Sequence, residues 1–559
     1  MLRLLLILFL LLPAFETFAS EGSVEGKYLS GSFASRNEDY STASSLFLDA
    51  LKEDPKNLLL TQNGYKAALL SGDFETAVRL SKSYVKSVKN AVSANMILAV
   101  NELKNSNYKE ADKYLGKILK KEALNNTLVI DWMVVQLLKL WSKVGQGDMD
   151  GAYAFIAKLK KEKEVPGVFV RYQEALIYEL DGKVKQAMRA YDDVSTVPVL
   201  TYHFAKYAGN FFQRNGKYEE ARKLYLRYQE QYPHLGYFQN ALKQDKNFIP
   251  KKLMTDTASG IKGVLLEAAR ALYRSDYYQD TQAYAQMTLY IDPQNDDAKT
   301  MLAGYQMNAK NYSKAKELYE GVGSDSDMYW NAQVGIAEAL YYLSKKNESF
   351  NNLRKLDKEY PDNSSALLIL ADLLRQSEEY SKAADVYTTI IDRRDKIEHK
   401  DWSLFFARGI CYESSGEWKM AEQDLLKSLQ LRPGQPDVLN YLGYSWLDRG
   451  QNIEKAKKMV ETAVKARPND GEIVDSMGWA LYSLGQYDEA SAYLERAAEL
   501  TPYDDVINDH LGDSYWKQGR YNEARFQWNR VIKYGKDEEI IEKAKDKLIY
   551  GLEKKSWWQ

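Results

Sequence analysis

A fixed step of about 34 residues constrains this chain more than any other feature in it. Gly409, Gly443, Gly478 and Gly512 recur at steps of 34, 35 and 34 residues. Ala421, Ala456, Ala490 and Ala524 keep the same step, as do Pro433, Pro468 and Pro502, and Leu425, Leu494 and Trp528 fill a bulky slot. Small residues at fixed offsets with such a period mark an array of helix pairs. Within one period Val474, Met477, Ala480, Leu481 and Leu484 return every three or four residues, which makes one apolar stripe on a first helix. Ala490, Tyr493, Leu494, Ala497 and Ala498 do the same on a second helix. Gly485-Gln486 turns the chain between them, and Pro502 ends the pair. One pair cannot bury both of its faces, so such pairs stack, each on its neighbours.

The unit from Gly471 to Asp504 carries Gly478, Ala490, Leu494, Ala497 and Pro502 at its positions 8, 20, 24, 27 and 32. In this it resembles the tetratricopeptide repeat family. The resemblance implies an all-α fold, an α-solenoid superhelix of about fourteen helix-turn-helix repeats. The same grammar appears earlier in weaker form. Gly31, Ala43, Phe47, Ala50 and Pro55 fit a first unit near 24–57, and Gly209, Ala221, Tyr225 and Pro233 a sixth. Between 236 and 261 no alanine or proline keeps the step, and Ile249-Pro250, Lys251-Lys252 and Gly260 suggest an irregular connection that bends or splits the array. The expected organisation is therefore a signal peptide over 1–19, divergent repeats over 20–235, that connection, divergent repeats over 262–400, regular repeats over 401–538, and a capping helix and tail over 539–559. Ile541, Ala544, Leu548 and Leu552 supply the one apolar face of that cap.

The first residues read as an export signal. Arg3 gives the positive start, Leu4 to Leu12 an apolar run too short to span a bilayer, and Thr17-Phe18-Ala19 the small residues of a cleavage site. Export with no stable membrane span afterwards places the chain outside the inner membrane, in the periplasm. The single cysteine, Cys411, allows no internal disulfide framework, and none lies near the cleavage site to carry a lipid. Its place on a first helix suits a small buried apolar role. With 76 basic and 78 acidic residues the chain lacks the basic excess of a general nucleic-acid binder.

No catalytic constellation stands out. His203, His234, His399 and His510 are far apart, and no pair has metal-ligand spacing. No phosphate loop or nucleophile elbow occurs, so no catalytic residue, cofactor or metal is expected. His510, between Asp509 and Asp513, is expected on the surface of a groove. The family resemblance implies that first-helix positions 2, 5, 9, 12 and 13 line a concave, partner-binding groove. Those positions supply Asp437, Asn440 and Tyr444 in one repeat, Glu472, Asp475, Trp479 and Tyr482 in the next, and Asp509, Asp513 and Trp516 in the last. The groove is therefore expected to be acidic with aromatic shelves, and to favour basic or neutral extended segments. Asp475, Asp509 and Asp513 repel one another there unless a cation or solvent offsets them. Members of the family that clamp a peptide carboxylate do so with lysine and asparagine at positions 5 and 9, where these repeats hold Asn440 and Tyr444, Asp475 and Trp479, and Asp509 and Asp513.

The runs Leu442-Gly443-Tyr444-Ser445-Trp446 and Asp475-Ser476-Met477-Gly478-Trp479, with Asp509-His510-Leu511-Gly512-Asp513, are similar to those of bacterial envelope proteins of many such repeats. Some of these are lipoprotein adaptors that present substrates to a carboxyl-terminal processing protease acting on cell-wall hydrolases. The resemblance implies a non-enzymatic interaction scaffold or adaptor of the cell envelope, with a protein or peptide partner such as a periplasmic protease or cell-wall enzyme. One alternative is a repeat subunit of a cell-wall or polysaccharide assembly or secretion complex. Another, of a different class, is an enzyme with its site in the irregular middle.

Overall fold

Why the helices pair so regularly can be seen at Gly478. A Cβ added there would lie 2.5 Å from Leu494 Cγ, so the bulky slot of the second helix sits directly on the first helix's glycine. Gly512 meets Trp528 in the same way, at 2.4 Å. The 34-residue step is thus a packing register, a missing side chain on one helix matched to a large one on the next. The turn glycines follow from geometry as well: Gly485 and Gly519 have φ of 76° and 77°, where glycine carries no steric cost.

The structure is a computed structural model, and it describes residues 23–119, 129–197, 201–231, 236–273 and 278–552. The expected signal peptide, and His234, lie outside the described residues. Among the described residues the fold is all-α. The chain divides into two compact units, split after Asn363. Among its described residues the first holds nine helix pairs, from Val24–Arg36 with Tyr40–Glu53 to Tyr329–Tyr342 with Lys346–Glu359, and the single helix Gly236–Lys243. The second holds five, from Ser365–Gln376 with Tyr380–Asp392 to Asp505–Lys517 with Tyr521–Tyr534, followed by the helix Glu538–Tyr550.

The second unit is an open α-solenoid in which each helix pair packs on its sequence neighbours. Its apolar interior falls into local clusters, one around Leu425, Leu442 and Trp446 and one around Leu494, Leu511 and Trp528. Cys411 is fully buried there, and burial pushes its thiol up to about 11, so it fills space and stays protonated. Helix Glu538–Tyr550 packs on the last pair with Ala544, Ile541 and Leu548.

The first unit is built differently. Most of its core is one cluster reaching from Tyr65 to Leu340, with a separate small one around Ala43 and Phe47. Helix Tyr278–Ile291 packs back on Leu58–Ser71 and Val92–Lys104, far behind it in sequence. There Gln282 Nε2 donates to the Leu70 carbonyl at 2.7 Å. Tyr290 stacks on Phe74 with ring centres 3.8 Å apart, bonds Asn101 at 2.9 Å and carries the Lys104 amine over its face. Helix Thr257–Tyr273 meets Val129–Gly145, where Gly260 lies against the Trp141 ring. A purely neighbour-to-neighbour array, expected from the repeat pattern, therefore does not hold in this unit.

The stretch 236–261, expected to be irregular throughout, is so only in part. Gly236–Lys243 is a helix because Phe238 and Ala241 bury one face against Tyr202, Tyr225 and Tyr228. Helix Thr257–Tyr273 already includes Gly260 and Ile261. The non-helical part is 244–256.

Candidate functional site

In the second unit, first helices at consecutive repeats bring groove positions together. Asn440 and Tyr444 on Pro436–Asp448, with Glu472 and Asp475 on Gly471–Ser483, line a cleft of about 460 Å³. Glu413, Tyr441, Asp448, Arg449, Asp504 and Val506 are among its other lining residues. Arg449 pairs with Glu413 at 2.9 Å and lies 4.2 Å above the Trp418 ring, so the one cation of the lining is already engaged. Glu472 and Asp448 stay exposed, and the rim is acidic. The Asn440 Oδ1 atom is buried without a hydrogen-bond partner, an acceptor that costs free energy until a donor reaches it. Burial raises the Tyr444 hydroxyl, helped by the charges of Asp475, Asp448 and Asp509, so it stays a neutral donor.

One repeat further on, the expected acids meet, but in a closed arrangement. Asp475 accepts from His510 Nδ1 at 2.9 and 3.1 Å to its two oxygens. Trp479 lies flat on that imidazole, ring centres 3.9 Å apart, and stacks on Tyr482 at 4.7 Å. His510 is therefore buried, not on the surface as its flanking aspartates suggest, because the indole covers it. Burial alone would depress the imidazolium, but Asp475, with Asp509 and Asp513 nearby, outweighs it and raises the pKa.

Asp509 and Asp513 are held by a residue that the repeat pattern does not reveal. Lys547 of the capping helix reaches Asp509 Oδ2 at 2.7 Å and the two Asp513 oxygens at 2.7 and 2.8 Å. Trp528 Nε1 adds a donor to Asp513 at 3.1 Å. Burial and then Asp509 push the Asp513 carboxyl up to about 6, against the pull of Lys547 and His510. The cation that offsets these carboxylates is thus supplied by the chain itself.

The remaining candidates stand apart. Asp437 makes a two-pronged ion pair with Arg467 at 2.7 and 2.8 Å and is not among the residues lining the cleft. Trp516 packs on Tyr521 and Trp528, and the turn at Gly551 presses on its ring so closely that a Cβ would lie 2.1 Å from Cζ2. It serves the cap. In the first unit, His203 pairs with buried Glu267 at 2.9 Å, and Arg270 with Asp297. These contacts tie together helices Tyr202–Arg214, Thr257–Tyr273 and Asp296–Asn308.

Models of the tetratricopeptide repeat match residues 206–234, 334–396, 370–436 and 472–504. These stretches carry tetratricopeptide repeats. The TPR repeat-containing protein PA4667 of Pseudomonas aeruginosa is 30% identical to it over 186 residues, 33% of this chain and 31% of that protein. The chain thus spans about a third of the length of this curated relative. Among solved structures it is similar to a tetratricopeptide repeat protein from Parabacteroides merdae, at 15% identity over 46% of this chain and 99% of that one, with a TM-score of 0.38. The Cut9–Hcn1 hetero-tetramer of APC/C overlaps 88% of this chain and 95% of that one at 16% identity and a TM-score of 0.36. Tetratricopeptide proteins mediate protein–protein interaction, and the cleft between consecutive first helices is where this array offers an unfilled, mixed acidic and aromatic surface.

Proposed function

We propose that this tetratricopeptide protein is a non-enzymatic scaffold of the bacterial cell envelope. It takes up an extended, lysine- or arginine-bearing segment of a protein partner in the cleft of its second unit. The observation that carries this reading is the lining of that cleft: exposed Glu472 and Asp448 on the rim, Tyr444 below, and an unpartnered amide oxygen on Asn440. An acidic rim speeds the approach of a cationic segment, and a buried acceptor rewards a backbone N–H. Lys547 supports it from the adjoining repeat, where a lysine amine is seated between two first-helix aspartates. The envelope setting rests on Arg3, the apolar run and the Thr17-Phe18-Ala19 site. A periplasmic protease or cell-wall enzyme is the partner class that the envelope resemblance suggests.

The test uses two extended synthetic peptides, one with lysines between leucines and one with glutamates in the lysine positions. The lysine peptide is expected to bind, more tightly at low salt, and D448N/E472Q to weaken it about tenfold through slower association. Equal binding of both peptides, or an unchanged D448N/E472Q variant, refutes the reading.

A further inference from the structure

The non-helical loop of the first unit has the makings of a second interaction surface. Residues 243–252 hold four lysines and one aspartate, in a chain whose net charge is −2. Between the lysines stand Phe248 and Ile249, exposed to 46% and 72%, on a segment that sends Met254 fully into the core. The outward placing of these two side chains is fixed from below. Gln213 Nε2 donates to the Phe248 carbonyl at 3.2 Å, and Asn210 Nδ2 to the Lys251 carbonyl at 2.9 Å. Both amides are buried. Tyr218 Oη reaches the Gln244 carbonyl at 3.4 Å, and the Phe248 amide bonds back to the Asp245 carbonyl at 2.9 Å. Pro250 further restricts Ile249. A loop so tied displays its apolar tip without first having to order itself.

The charges sort in the same direction. Asp245 is used locally, accepting from the Asn247 amide at 2.7 Å. Lys252 turns inward to the Glu179 carbonyl at 3.3 Å. Lys246 and Lys251 stay exposed, and Lys243, 71% exposed, has only the Asp362 carboxylate at 3.9 Å. An exposed apolar tip flanked in the chain by exposed lysines is complementary to a bilayer with anionic headgroups: hydrocarbon for the tip, phosphates for the amines. No helix among the described residues is long and apolar enough to cross a membrane, so the contact is peripheral.

We propose that the loop 244–252 is a membrane-surface contact, Phe248 and Ile249 entering the headgroup layer of an anionic bilayer while Lys243, Lys246 and Lys251 meet its phosphates. The association is weak, reversible and salt-sensitive, and it is independent of the cleft in the second unit.

The experiment is co-sedimentation of the full chain, without its export signal, with vesicles of phosphatidylcholine alone and of phosphatidylcholine with phosphatidylglycerol. Binding is expected to the anionic vesicles only, and to fall with added salt. F248S/I249S is expected to reduce it roughly tenfold or more. K243Q/K246Q/K251Q is expected to reduce it about fivefold per lysine and to flatten the salt dependence. All five positions are solvent-facing, so the helical circular dichroism should not change, and lysine-peptide binding in the same samples reports separately on the cleft. Failure of the wild type to bind anionic vesicles overturns the proposal, as does unchanged binding by both variants. A wild type that ignores vesicles but captures a protein through this loop overturns it in favour of a protein-docking site.

Discussion

Replacing Lys547 with methionine keeps the length and apolar stem of the side chain and removes only the amine between Asp509 and Asp513. Lys547 is 18% exposed, Asp509 13% and Asp513 9%, so the pair is largely but not wholly withdrawn from water. Removing one partner of a buried pair costs about 3–5 kcal/mol, and the residual exposure brings this to about 2–4 kcal/mol at neutral pH. The loss is expected to depend on pH in a set direction. The Asp513 carboxyl is already pushed up to about 6 with the lysine present, and without it the proton is held more tightly still. Below pH 6 Asp513 is then neutral, leaving only Asp509 to be stranded, and the loss should shrink to under about half. Hydrogen exchange read by peptide mass is the assay. A cost of about 3 kcal/mol lowers protection across residues 505–550 roughly a hundredfold at pH 7.5, less at pH 5.5, and leaves residues 24–359 unchanged. A variant with wild-type protection, or an equal loss at both pH values, refutes the closed acidic cluster.

The folded-state pKa of His510 is raised, so its contribution is complete below the unfolded value near 6.5 and is lost as pH rises through the folded one. Asp513, raised from 3.8 to about 6, acts in the same sense over the lower window, so the last repeats should lose stability from pH 4 upward. H510Q should abolish the upper part of that slope and keep the lower, as urea titrations at several pH values will show. Y290A removes the stack on Phe74 and the bond to Asn101, and is expected to cost about 2 kcal/mol and to lower exchange protection at both 58–104 and 278–291. G478A, whose Cβ has only 2.5 Å to Leu494, should cost about 1–3 kcal/mol with damage confined to the adjoining repeats.

Much of this fold is legible in the sequence because its chief determinant is local and periodic. Gly478, Ala490 and Leu494 state both the helix pair and its closest approach, and the structure puts Leu494 on Gly478. What escapes is whatever depends on one contact outside the period. Nothing near Leu70 indicates that Gln282 will bond its carbonyl, since the two are 212 residues apart. Helix Gly236–Lys243 lacks the alanine and proline markers and forms because tyrosines of earlier helices cover Phe238. In the groove, position alone places Asn440, Tyr444, Glu472 and Asp475 together. It says nothing of Lys547, which stands in the cap. His510 reads as a surface residue from its charged neighbours, and only the stacking of Trp479 makes it an interior one.

The seam between helix Tyr278–Ile291 and the early repeats bears on how such a chain can lengthen. Duplicating a repeat in the open second unit adds a rung to a ladder of neighbour contacts, and every existing rung keeps its neighbours. In the first unit the same duplication anywhere between Asn101 and Gln282 would carry Tyr290 a full rung away from Phe74 and Asn101. Copy number is thus a free variable in one half of the chain and a locked one in the other. Engineered arrays that graft extra rungs are expected to tolerate them after Ser364 and to come apart when they fall inside the ring of contacts before it.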